Sequence, residues 1–150
     1  MTTTLTTVKG ALETVLVGLT PTGKALTQRK YVRASDSSTW GTRGLADIDR
    51  RFTVYMDPAG GWNSFGTLTE HESKVRMTVT IGHVLGQNVQ DAQERQSTDC
   101  RQIILELTDP ANRPSGVWRI ALVPPVSVTE RDQWIETEMK FDVTFAEANP

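Results

Sequence analysis

The chain has 150 residues, the size of one ordinary domain and long enough to close one core. Apolar residues make up 37%, which leaves much polar surface or long polar loops. A net charge of −2 and a pI of about 5.7 exclude a global attraction to nucleic acid or to an anionic membrane.

Met1 to Thr7 is threonine-rich, with no basic n-region and no long apolar core, so it does not read as a signal peptide. No run approaches the ~20 apolar residues of a membrane span. The single cysteine, Cys100, excludes an internal disulfide and suits a cytosolic origin.

Leu5, Val8, Leu12, Val15, Leu16 and Leu19 recur at three- and four-residue steps, the stripe of an amphipathic helix. Thr2, Thr3 and Thr4 can cap it, and Pro21 and Gly23 stop it. Gly10, mid-helix, costs ~1 kcal/mol against alanine and suggests a close packing contact. Gln28 to Ala34 reads as a short strand centred on Tyr31 and Val32. Asp36 to Asp49 is rich in loop formers, with Trp40 and Leu45 as candidate anchors.

Arg51 to Met56 alternates as a strand, with Phe52, Val54 and Met56 on one face. Turn chemistry follows, carrying Trp62 and Phe65. Lys74 to Ile81 is a second strand, with Val75, Met77, Val79 and Ile81 on one face, predicted to pair antiparallel with the first. The chain then turns through Gly82 to Gly86, and the period changes from 2 to 3.6.

From about Asn88 a helix is predicted, with an inner stripe of Val89, Ala92, Gln93, Gln96, Cys100, Ile103, Ile104 and Leu107. The stripe weakens at Gln93, Gln96 and Ser97, so the Ile103–Ile104–Leu107 end should hold most firmly. Asp109-Pro110 ends it. Gly116 to Val123 reads as a strand with Trp118, Ile120 and Leu122 on one face. Pro124-Pro125 should stop its pairing at Val123, because neither proline donates. The last strand places Ile135, Thr137, Met139, Phe141, Val143 and Phe145 on one face and Glu136, Glu138, Lys140 and Asp142 on the other. A one-residue slip would bury those charges, so its register is strongly set. The expectation is one α+β domain over residues 1–150. Its sheet has about five strands, mainly antiparallel or mixed, with two helices packed on one side.

No catalytic, cofactor or metal set emerges. Neither His71 nor His83 has a ligand at i+3 or i+4, and both read as surface or turn histidines. Cys100 on a helix stripe reads as a small buried thiol, not a nucleophile. Asp47, Asp49 and Asp57 fail calcium-loop spacing, and Gly60-Gly61 lacks the residues of a phosphate cradle. Two basic groups, Arg29/Lys30/Arg33 and Arg43/Arg50/Arg51, fit a solvated face, inter-subunit salt bridges or phosphate contact. Trp118 and Trp134 belong to the core or its edge. Trp40 and Trp62, in polar loops, either tuck onto the domain or serve an interface. The loops 35–50 and 57–72 are longer than turns require.

An N-terminal helix, a strand Arg-Arg-Phe-Thr-Val-Tyr and a strand Val-Arg-Met-Thr-Val-Thr-Ile open the pattern. A helix with Asp-Ala-Gln-Glu-Arg and Arg-Gln-Ile-Ile-Leu-Glu-Leu follows. The chain closes on Trp-Ile-Glu-Thr-Glu-Met-Lys-Phe-Asp-Val-Thr-Phe. Over about residues 5–145 this resembles, in architecture and texture, the tail terminator (tail completion) proteins of long-tailed bacteriophages. The resemblance implies a non-enzymatic virion protein without cofactors. It would form a hexameric ring that caps the tail tube, stops its polymerisation and joins tail to head. Its partners would be copies of itself, the major tail tube protein and a head-completion or connector protein. DNA would pass through the lumen without sequence-specific binding, and no membrane would be involved. Its place would be the head-proximal end of the tail, after assembly in the host cytoplasm. Trp40, Arg43, Trp62 and Phe65 are the candidate interface residues. The alternatives are a head–tail connector, neck or tube protein, and a monomeric protein-binding module.

Overall fold

A computed structural model describes residues 2–20, 32–33, 50–57, 62–64, 70–85, 89–131 and 134–148. In chain order these form α1 (Leu5–Gly18), β1 (Val32–Arg33), β2 (Arg50–Asp57), β3 (Trp62–Ser64), β4 (Glu70–Val84), α2 (Val89–Thr108), a 3-10 turn (Pro110–Asn112), β5 (Val117–Arg131) and β6 (Trp134–Ala148). The fold is α+β. Four long strands form the antiparallel body of the sheet in the order β2-β4-β6-β5. Two short strands flank it: β1 lies parallel to β2, and β3 pairs with β4. The body thus has four strands where about five were expected, and β3 arises inside a stretch read as turn.

Register follows from alternation. Phe52 faces Ile81, Val54 faces Val79 and Met56 faces Met77 across β2–β4. Met77 faces Phe141 and Val79 faces Met139 across β4–β6. All these side chains lie in one buried cluster with Val8, Leu12 and Leu16 of α1 and Ile103 and Leu107 of α2. Both helices therefore cover the same face, because that face offers the continuous apolar surface to bury. The opposite face carries Thr53, Tyr55, Lys74, Arg76, Lys140 and Asp142, and Tyr55 is 61% exposed.

Thr4 caps α1 by accepting a hydrogen bond from the Thr7 backbone N–H. The helix ends at Gly18, before Pro21, which lies outside the described residues. Gly10 makes no close packing contact among the described residues, since a Cβ built there meets none of them within 4 Å. The chain start is tied to the sheet by Thr3 N–H donating to the Ala146 carbonyl. The Ala146 N–H in turn donates to the carbonyl of Gly116, whose φ of 85° suits glycine.

β5 departs most from expectation. It does not stop at Val123 but runs to Arg131, with a register shift between Val123 and Ser127 that takes up Pro124-Pro125. As an edge strand it tolerates residues without an N–H to donate. A second irregularity lies between Val117 and Arg119. It lets Val117 and Ile120 both point inward and leaves Trp118 42% exposed, so Trp118 is not a core residue.

Candidate functional site

The most chemically distinctive place in the described structure is a buried polar cluster at one end of the sheet. Arg50 opens β2 and stands opposite His83 near the end of β4. Asp99, midway along α2, comes down between them. Arg50 Nε–H donates to Asp99 Oδ2 at 2.5 Å, and His83 Nε2 lies 2.9 Å from the same oxygen. All three side chains are buried. Arg50 Nη1 and Nη2, His83 Nδ1 and Asp99 Oδ1 find no hydrogen-bond partner among the described residues.

Electrostatics sets the protonation pattern. Burial alone would raise Asp99, but hydrogen bonds from His83 and Arg50, with their charges, outweigh it and hold the carboxyl below its usual range. An ionised carboxylate only accepts, so His83 Nε2 carries the proton it donates. Burial pushes His83 below the ordinary imidazole value. The Asp99 bond and charge oppose that shift, while the Arg50 and Arg95 charges add to it. The cluster is thus a neutral imidazole beside an arginine–carboxylate ion pair.

Polar contacts continue along the N-terminal half of α2. Gln93 Nε2 donates to Glu130 Oε1 at 3.1 Å, Arg95 Nη2 to the Val84 carbonyl at 3.2 Å, and Gln96 Nε2 to Thr137 Oγ1 at 2.9 Å. The C-terminal half docks instead through Cys100, Ile103 and Leu107. The weak stretch of the predicted stripe is therefore a polar seam. Val89, expected on the inner stripe, is 46% exposed, and Asp99, not expected there, is buried.

Both histidine readings need correction. His71 and His83 are buried strand residues on the core face of β4, not surface or turn histidines. They lie twelve residues apart on one extended strand, roughly 40 Å by strand geometry, and so do not converge. Near His71, Ser73 Oγ donates to Glu147 Oε2 at 2.7 Å. The described residues contain no group of three or more histidine, cysteine or acidic side chains suited to a metal. Cys100 is buried, with its sulfur 3.5 Å from that of Met139. Burial, then the Asp99 charge, pushes its thiol up, away from the reactive thiolate.

The Arg43/Arg50/Arg51 group does not act as one patch. Arg50 points into the core and is spent on Asp99. Arg51 points to the face opposite the helices, where its guanidinium lies 4.1 Å from the Trp134 ring centre and 3.4 Å from Glu136 Oε1. Trp134 is thus a half-buried residue of the face opposite the helices. Gly82 makes this packing possible, since a Cβ there would stand 2.8 Å from Arg51 Nε and 3.2 Å from Trp134 Cε3. Gly82→Ala is expected to dislodge Arg51 from the ring and cost about 1 kcal/mol. Chemical denaturation checks the loss, and Trp134 fluorescence reports the displaced cation.

Of the candidate interface residues, Trp40, Arg43 and Phe65 lie outside the described residues, as do Arg29, Lys30, Asp47, Asp49 and Gly60-Gly61. Trp62 starts β3, its backbone paired opposite Ser73. Among the described residues, no helix is long and apolar enough to cross a membrane. Comparison with protein-family models and with curated protein sequences gives no match.

Proposed function

We propose that this chain is a structural subunit of a bacteriophage tail. It assembles with copies of itself into a ring that caps the tail tube, ends its polymerisation and joins the tail to the head. The observation that carries this reading is the one-sided sheet. Among the described residues, helices cover one face, and none covers the other face or the β5 edge. That other face mixes both signs of charge, with Arg76 Nε 2.8 Å from Asp142 Oδ1 and Lys140 Nζ 3.6 Å from Glu138 Oε1. Such a surface suits polar contacts between subunits more than a small-molecule pocket. A closed ring joins two different patches of one subunit, and a domain with distinct edges provides them. The resemblance in strand and helix texture supplies the identity of the assembly, and the slightly acidic net charge suits a wall past which DNA slides.

Electron microscopy of the purified protein, alone and with isolated tail tubes, tests the reading. One ring at one end of each tube is expected. Long tubes formed by the protein alone would make it a tube protein. A monomer that leaves tube ends bare would make it a binding module.

A further inference from the structure

We propose that the Arg50–Asp99–His83 cluster is an acid-released latch. A second proton on the His83 imidazole parts the N-terminal half of α2 from the β2–β4 end of the sheet, while the C-terminal half stays docked. This inference is independent of the ring assembly proposed above.

The geometry supplies both the trigger and the hinge. One group comes from each of three elements: Arg50 from β2, His83 from β4 and Asp99 from α2. Among the described residues, the charges facing His83 are Asp99 and Arg95 from α2 and Arg50 from β2. Its register neighbour on β6 is the uncharged Ile135, and Glu136 pairs with Arg51 on the other face. With neutral His83, the Asp99 carboxylate is already paired with the Arg50 guanidinium, and the Arg95 charge also acts on the imidazole. A proton on Nδ1 adds a third positive charge, in a place where Nδ1 has no partner among the described residues. Arg50 Nη1 and Nη2 and Arg95 Nε are likewise unmet there. Buried charge without a counter-charge or acceptor is relieved by admitting water.

The helix can open at this end at low cost. Among residues 89–98, Ala92 is the one buried side chain, and polar contacts, those of Gln93, Arg95 and Gln96 among them, tie this half of the helix to the sheet. Water can replace those bonds. From Cys100 onward the helix is held by buried apolar side chains, which water cannot replace.

The direction of titration agrees. The closed form binds the His83 proton less readily than an exposed imidazole, whose value is 6.5. The latch is therefore fully closed above that value and loosens as pH falls below it. Asp99 shifts downward from 3.8, so its own loss belongs to a separate, more acid window.

Amide hydrogen exchange followed by mass spectrometry tests the latch, on the wild type and His83→Gln, at about pH 7.5 and about pH 5. Glutamine can keep a donor to Asp99 but does not titrate. After correction for intrinsic exchange rates, residues 89–99 of the wild type should exchange about tenfold faster in acid, with residues 101–108 unchanged. In His83→Gln the acceleration should vanish. Equal protection of residues 89–99 at both pH values would overturn the latch, as would uniform opening of the whole helix or acceleration persisting in His83→Gln. If that variant does not fold, NMR titration of the wild-type imidazoles decides, with the His71 signal assigned through His71→Gln. The His83 ring must gain its proton over the same pH range in which residues 89–99 open; titration in a different range overturns the proposal.

Discussion

Replacing Asp99 by alanine is expected to cost about 3–5 kcal/mol of folding stability, among the largest losses any single substitution here can cause. The carboxylate is the shared acceptor of Arg50 and His83. Without it, Arg50 remains in the core with no counter-charge among the described residues, and His83 Nε2–H loses its acceptor. The penalty comes from stranding a buried charge more than from losing an attraction. That distinction has its own check. The double variant Arg50→Met/Asp99→Leu removes the stranded cation as well, and should recover roughly half of the loss or more. Urea denaturation at neutral pH measures both variants. If the double variant is as unstable as Asp99→Ala or more so, the cluster's worth lies in its bonds and not in avoided burial.

Phe141→Ala should cost about 3–5 kcal/mol, comparable with much of the 5–15 kcal/mol that holds a typical domain together. Phe141 lies at the middle of β6, opposite Met77 on β4 and Leu122 on β5, and is completely buried. Truncation removes a large apolar side chain and leaves a cavity that two paired neighbours cannot collapse into. The contrast is Tyr55→Ala on the face opposite the helices, where 61% exposure predicts a change within about 0.5 kcal/mol. Thermal or urea denaturation of both variants separates the two faces directly. Tyr55→Ala should leave the fold intact, so any effect on ring formation at tube ends would mark the face opposite the helices as a contact surface.

The neutral-pH stability of this domain thus rests on two different kinds of interior. Under the C-terminal half of α2 and along Val75–Ile81 and Met139–Phe145, stability comes from apolar burial and varies little with pH. At the Arg50 end it comes from satisfied charge, and it weakens in acid. The loss begins as pH falls below the 6.5 of an exposed imidazole.

Alternation along Phe52–Val54–Met56, Val75–Ile81 and Ile135–Phe145 was legible in the chain, and with it the buried face, the antiparallel pairing of β2 with β4 and the class of fold. The three- and four-residue stripe of α1 was equally legible. These are local periods: each residue's side of a strand or helix is set by its neighbours in sequence, and burial need only agree. Only the tertiary structure decided the Arg50–Asp99–His83 cluster. Its members lie on three elements, and Asp99 is 49 residues from Arg50 and 16 from His83. No local period links them, and each taken alone resembles a surface residue. The one trace left in the sequence was the polar interruption of the α2 stripe, which marked where the helix turns from apolar packing to charge. The continuation of β5 past two prolines was likewise decided by its place at the sheet edge, because a missing N–H matters only where a neighbouring strand needs it.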